Sequence, residues 1–376
     1  MIKVCGINKF QYLWLEYDRP VQMKELLLKI ASLLYYVGIK FRSALFDMGI
    51  LSSESFEIPI ICVGNITAGG TGKTPTVETL VSYYSERCNV VVLSRGYGRK
   101  TKGYREVEAD DDYRTVGDEP LQIKRKFPNV RVVVCAKRVF AIKRIMAEFP
   151  EVDMIIMDDG FQHRYVRALV NIIIVDATRP VDRDHLLPYG QLRDTVSSLS
   201  RANYFIVTKC APDMKPLETR LMRAKLVKKP SQDVFFSRMA PSEPSAVFAG
   251  VTREVKAGSE VIAMSGIGNS EAFNESLRHR YTVVDTIDLE DHHVYRMNDL
   301  KRMQELLDRY PKAVIMTTEK DAVKLYRSGA IPESVRSRMF YESITLRFMG
   351  DGRTELFSKI DKDIKNRRNG EYIRGL

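Results

Sequence analysis

The segment CVGNITAGGTGKTPT (62–76) concentrates the residue types needed to hold a polyphosphate. An apolar run leads into a glycine-rich turn, and a helix-competent stretch follows. Gly69, Gly70 and Gly72 let backbone N–H groups converge on phosphate oxygens at a helix N-terminus, where anions are favoured. In such a loop Lys73 reaches the β- and γ-phosphates and the Thr74 hydroxyl ligates Mg²⁺. The cradle as a whole runs through Thr67, Ala68, Gly69, Gly70, Thr71, Gly72, Lys73 and Thr74. Thr67 stands where the GxxxxGK[ST] pattern has glycine. The chemistry expected of this segment is binding of a nucleoside triphosphate with Mg²⁺.

A second group of functional types closes another apolar run, MIIMDDGFQH (154–163). Asp158 and Asp159 fall where a phosphate loop needs its acidic partner, because Mg²⁺ prefers oxygen ligands. Paired aspartates are also common in turns, so this assignment depends on the company of Lys73. Polar clusters follow other apolar runs: SRGYGRK (94–100), VGDEP (116–120), DATRP (176–180) and LLPYGQLRD (186–194). Asp118 in VGDEP has N-capping as its ordinary use. LEDHHVY (289–295) places Asp291, His292 and His293 together. Adjacent histidines rarely face one ion and no HExxH-type partner follows, so zinc is not expected there.

The elements that must position these groups are legible as periodicity. Short apolar runs at 58–64, 90–94, 130–135, 154–159, 171–177 and 204–209 alternate with candidate helices at 72–86, 118–127 and 137–148. Fully apolar strands separated by helices predict a mostly parallel sheet covered on both faces. A Lys-rich stretch with prolines, 215–244, breaks the rhythm, and a second set follows at 245–250, 261–266, 281–286 and 313–318. The expected organisation is therefore α/β: a P-loop NTPase-type domain over 51–240 and a smaller α/β domain over 241–376 closing over the site. An N-terminal helical segment occupies 1–50. Ligands of open α/β sheets bind at the carboxyl ends of the strands, where all these clusters lie.

Within the first segment, Leu27, Ile30, Leu34, Val37, Phe41 and Leu45 recur at steps of three and four, a helical stripe over 24–47. Lys24 and Arg42 flank it on one side and Lys29 and Lys40 on the other. Such flanks suit an interface, although most amphipathic helices pack their stripe on the core. The charge-free run Ile30–Ile39 is half of the roughly 20 residues a membrane span requires. The 376-residue chain has 59 Lys+Arg against 48 Asp+Glu, a net charge of +11. That suits anionic lipid, phosphorylated substrates or nucleic acid, but no nucleic-acid-binding motif accompanies it. Five scattered cysteines without a CxxC pair indicate a reducing compartment.

NITAGGTGKTP, SRGYG, VGDEP, DDGFQH, DATRP, LLPxGxLR and DHH, in this order over roughly residues 24–320, resemble the tetraacyldisaccharide 4′-kinase family. The resemblance implies an ATP- and Mg²⁺-dependent kinase of lipid A biosynthesis. Its substrate is a tetraacylated glucosamine disaccharide 1-phosphate, phosphorylated on the 4′-hydroxyl at the cytoplasmic face of the bacterial inner membrane, with no nucleic-acid partner. It further implies that Lys73 and Thr74 hold the triphosphate and its metal, with Asp158 and Asp159 as the acidic pair. Asp118 resembles the catalytic aspartate, His292 the histidine that cooperates with it, and Arg193 an arginine near the phosphates. A membrane-associating N-terminal helix is implied as well, against the core-packing expectation for 24–47. Asp194 departs from the family's usual glutamate, which places a direct carboxylate contact there in question. Other readings of the same loop are a kinase of a soluble sugar or metabolite, an ATPase switch acting on a protein partner, and a nucleic-acid-binding ATPase.

Overall fold

The computed structural model describes residues 9–291, 293–326 and 331–368, with side chains from residue 23 to 367. Its larger sheet is built on β1 (Ile60–Gly64), β2 (Val90–Ser94), β3 (Arg105–Glu106), β4 (Arg131–Val134), β5 (Met154–Asp158), β6 (Val170–Asp176), β7 (Tyr204–Thr208) and β8 (Asp233–Pro241). The smaller sheet is formed by β9 (Ser245–Ala246), β10 (Glu260–Ser265), β11 (Thr282–Asp288), β12 (Val314–Thr318) and β13 (Met339–Glu342). The last strand, β14 (Ile344–Phe348), returns to the larger one.

The order of the nine-stranded sheet is β14-β8-β7-β6-β1-β5-β2-β4-β3, parallel except at its two edges. Strands β1, β2, β5 and β7 are buried at every residue, which is why they read as unbroken apolar runs rather than alternating ones. The chain leaves β1 for β2 on one side and crosses back to β6 on the other, so the carboxyl end of β1 is the switch point where a crevice opens. The helix Lys73–Tyr84 starts there. The five-stranded sheet has the order β11-β10-β12-β13-β9, with only β9 antiparallel. Its separate core contains Ile262, Met264, Met303, Leu307 and Ile315.

Three expectations change. The segment 215–244, read as an interruption, supplies the helix Pro216–Leu226 and the strand β8. The segment 241–376 does not stay with the second sheet: β14 pairs antiparallel with β8, and the helix Gly352–Arg368 packs on the first core through Leu356, Phe357 and Ile360. Burial of those side chains against Tyr83 and Tyr84, whose hydroxyls both donate to Asp361, holds the return. Third, the N-terminal helix is longer than 24–47, running Lys9–Asp47, and its stripe does not face a core. Leu27, Ile30, Leu34, Val37 and Phe41 are exposed, Leu34 by 69%, and only Leu45 is half-buried. The helix is instead held by buried Phe46, whose ring lies 5.0 Å from that of Tyr165, and by polar contacts: Ser32 Oγ donates to the Leu186 carbonyl (2.9 Å), Tyr35 to that of Arg193 (3.0 Å), and Arg164 reaches Ser43 and Asp47 (both 2.7 Å).

Phe357 stacks on Tyr83 with ring centroids 3.7 Å apart and is 2% exposed. Phe357→Ala is therefore expected to cost about 3 kcal/mol in denaturant unfolding. A loss below about 1 kcal/mol would show that the returning helix is peripheral to the first core.

Candidate active site

The loop after β1 is shaped by its backbone. Gly72 takes φ +97° as the residue preceding the helix, a left-handed conformation that strains any residue with a Cβ. Gly69 and Gly70 are exposed and open to an incoming anion, whereas Thr67 and Thr71 are buried and Ala68 is half-buried. Thr67 needs no glycine, because it lies in a bridge to Leu192. The strap 186–194 runs along the loop: Ala68 N–H donates to the Gln191 carbonyl (2.7 Å) and Arg193 N–H to that of Ile66 (2.6 Å). Buried Asn65 fixes the far side, its Nδ2 donating to Thr71 Oγ1 at 2.6 Å.

The acidic pair splits into two environments. Asp159, with φ +47°, receives both guanidinium nitrogens of Arg193 (3.1 and 2.8 Å), and Lys73 Nζ lies 3.8 Å away. Burial pushes its carboxyl up, but Arg193 and Lys73 hold it below the ordinary range. The same guanidinium donates to Asn65, so Arg193 ties the phosphate loop, the strap and the end of β5 together. Asp158 is 2% exposed; its Oδ2 accepts from Ser94 Oγ (3.0 Å), and its Oδ1 has no hydrogen-bond partner among the described residues. Burial, then the charge of Asp159, raise its pKa. A buried carboxylate oxygen left without a donor is a place for a cation.

Asp118 is not an N-cap. Gly117, at φ +99°, precedes the helix Asp118–Lys126, and a Cβ on Gly117 would approach Gly96 Cα and the Tyr97 carbonyl at 3.2 Å, so the VGDEP and SRGYG segments press backbone to backbone. Asp118 is buried, its Oδ1 accepting from the Glu119 N–H (3.0 Å) and its Oδ2 lying 3.7 Å from Lys320 Nζ. Lys320 also reaches Asp291 Oδ1 at 3.1 Å. His292, expected to cooperate with Asp118, lies outside the described residues.

Four site groups escaped sequence reasoning: Asn65, Glu119, Arg138 and Lys320. Half-buried Glu119 has its carboxyl raised to about 7 by burial and then by Asp158, partly offset by Lys73. Its place beside Asp118 in VGDEP was the available signal. Arg138 is 2% exposed, and its charge is felt by Asp158 and Asp159. Asp194 makes its carboxylate contact with Arg201 (3.0 Å), which donates to the Phe161 carbonyl (3.0 Å). The aspartate thus steadies the DDGFQH turn. Alongside, a cleft of about 480 Å³ lies between the N-terminal helix and residues 184–196, bordered by Ser32, Leu33, Tyr36, Leu186 and Tyr189.

The chain is similar to known proteins along most of its length. The family model described as tetraacyldisaccharide-1-P 4′-kinase matches residues 24–365. The chain is 36% identical over 360 residues to a tetraacyldisaccharide 4′-kinase of Parabacteroides distasonis, covering 93% of this chain and 97% of that one. It is 38% identical over 334 residues to the corresponding protein of Porphyromonas gingivalis, covering 86% and 93%. Among solved structures, LpxK from Aquifex aeolicus in complex with ATP superposes with a TM-score of 0.69 at 25% identity, covering 90% of this chain and 99% of that one.

His163, at the end of the acidic motif, is held near pKa 4 by burial and then by Arg138, Arg42 and Arg95. An unfolded imidazole binds its proton near 6.5, so the unfolded chain carries the extra proton between about pH 4 and 6.5 and stability rises with pH across that window. His163→Gln is expected to flatten this part of the unfolding free-energy profile against pH. An unchanged slope would mean that the imidazole is freely protonated in the folded chain.

Proposed function

The chain belongs to the tetraacyldisaccharide-1-P 4′-kinase family, and on that premise we propose how its residues divide the work. The activity is ATP-dependent phosphorylation of the 4′-hydroxyl of tetraacyldisaccharide 1-phosphate in lipid A biosynthesis. Residues Thr67 to Thr74 cradle the triphosphate of ATP, and Lys73 places its charge on the phosphoryl group in flight. Thr74, Asp158 and Asp159 would hold Mg²⁺. Oδ1 of Asp158, without a hydrogen-bond partner among the described residues, is the observation that carries this fit, and it favours Asp158 over Arg193-bound Asp159 as the direct ligand. When bound, the cation would supply positive charge against that of the triphosphate.

Asp118 takes the 4′-hydroxyl proton as that oxygen bonds to the γ-phosphorus and the bond to ADP breaks. His292 assists Asp118, and Arg193 keeps the loop and Asp159 in register for the transfer. The second sheet, which carries Lys320 and Asp291 to Asp118, closes over the site. The N-terminal helix lies in the inner-membrane surface at its cytoplasmic face: exposed leucines and aromatics enter the lipid, and Lys24, Lys29, Lys40 and Arg42 meet anionic headgroups. We read the attachment as peripheral; no helix among the described residues is long and apolar enough to cross a membrane. The adjoining cleft admits the lipid acceptor.

In detergent micelles with ATP and tetraacyldisaccharide 1-phosphate, Lys73→Ala and Asp118→Ala are each expected to reduce turnover by roughly 10²–10⁴-fold while remaining folded. Near-normal turnover in either folded variant removes that residue's role.

Removing residues 1–48 is expected to release the protein from anionic vesicles in a sedimentation assay, with salt alone weakening the intact chain's binding only partly. Equal sedimentation of the truncated and intact chains would assign membrane attachment elsewhere.

A further inference from the structure

We propose that Lys320 is a positioning residue of the phosphoryl transfer: its ammonium group, carried by the second sheet, holds the Asp118 carboxylate in the orientation from which it takes the acceptor proton. The inference rests on the reading of Asp118 as that proton's acceptor. Three consecutive side chains at the start of the helix Glu319–Leu325 reach three different places. Glu319 Oε2 accepts from Gln122 Nε2 (3.1 Å) and Lys126 Nζ (3.3 Å), one and two turns along Asp118's own helix. Asp321, fully buried, accepts from the Gly266 N–H (2.9 Å) and Thr318 Oγ1 (2.7 Å) and so belongs to the second sheet. Between these two anchors Lys320 is fixed in the junction, 3.7 Å from Asp118 Oδ2 and 3.1 Å from Asp291 Oδ1.

The two oxygens of Asp118 are therefore addressed separately, Oδ1 by the Glu119 N–H and Oδ2 by the lysine. Fixing a reacting group's rotamer by neighbours held on rigid elements is worth far more to rate than to stability, since a misplacement of about 1 Å can cost on the order of 10²-fold. Desolvation offsets most of the Coulomb attraction in such a partly buried pair, so stability alone gives little reason for it. The same ammonium also holds Asp291 Oδ1, so one side chain of the second sheet ties two carboxylates together at the junction.

The test uses the full chain in micelles with ATP and tetraacyldisaccharide 1-phosphate, folding being checked by melting temperature. Lys320→Met is expected to lower kcat on the order of 10²-fold with KM for ATP within about twofold of the unaltered chain. Lys320→Arg is expected to recover all but about tenfold, because it restores the charge with a different geometry. In an Asp118→Asn background, Lys320→Met should cost less than about threefold, since no carboxylate remains to be held. Where Lys320→Met melts below the assay temperature, Lys320→Gln is read by the same comparisons. Full kcat in Lys320→Met, or an equal loss in both backgrounds, overturns the proposal. Asp118→Asn at full rate would instead overturn the reading of Asp118 itself.

Discussion

The site depends on the compensation of carboxylates crowded into one buried crevice. Asp158, Asp159 and Glu119 lie close enough to disturb one another's protonation, and ionised carboxylates in a poorly solvated place cannot coexist without cations. Arg193 supplies the main structural answer. Its planar fork engages Asp159 with two nitrogens while reaching Asn65, so one side chain neutralises a charge and fixes three separate chain segments. Lys73 contributes a second positive charge from the phosphate loop. What remains is Asp158, with one oxygen satisfied by Ser94 and the other without a donor among the described residues, an imbalance suited to a divalent ion.

The two sheets are joined by another concentration of charge. Lys126 lies between Glu78, on the helix that follows the phosphate loop, and Glu319, on the second sheet's helix, at 2.7 and 3.3 Å; Gln122 donates to both carboxylates. Burial, then the neighbouring Glu78, raise Glu319 to about 7, so the junction carries less negative charge than its residue types suggest. Such clusters contribute little net stability but fix register, because any other docking would strand a charge without a partner. That register delivers Lys320 to Asp118. The phosphate-loop helix, the Asp118 helix and the second sheet are thereby set relative to one another by a few polar atoms.

The N-terminal helix follows a different logic. It is attached to the body by its polar side chains and by the flanks of the acidic turn, while its leucines face outward. A surface of this kind is costly in water and favourable in an interface. The attachment points, Leu186, Arg193 and Gln162, belong to the strap and the DDGFQH turn, so the segment proposed to meet lipid rests directly on the parts that frame the site.

Much of the first sheet was legible in the chain. Its six apolar strands between residues 58 and 209 and the helices Lys73–Tyr84, Asp118–Lys126 and Arg138–Glu148 followed from apolar periodicity, whereas the two-residue β3 and the short helices Tyr113–Val116 and Val196–Arg201 left no such pattern. Motif order carried the family. Tertiary structure alone decided which distant groups meet. Gln122 and Glu319 are 197 positions apart, and Arg193 and Asp159 34 apart; no local pattern encodes either contact. It also decided that β14 and the final helix return to the first sheet, since an apolar strand fits an edge of either sheet and the packing of the final helix on the first core selects one. Finally, the stripe of leucines over 24–47 has the same spacing whether it faces a core or an interface. Its exposure is a property of what the rest of the chain leaves uncovered, and spacing carries no record of that.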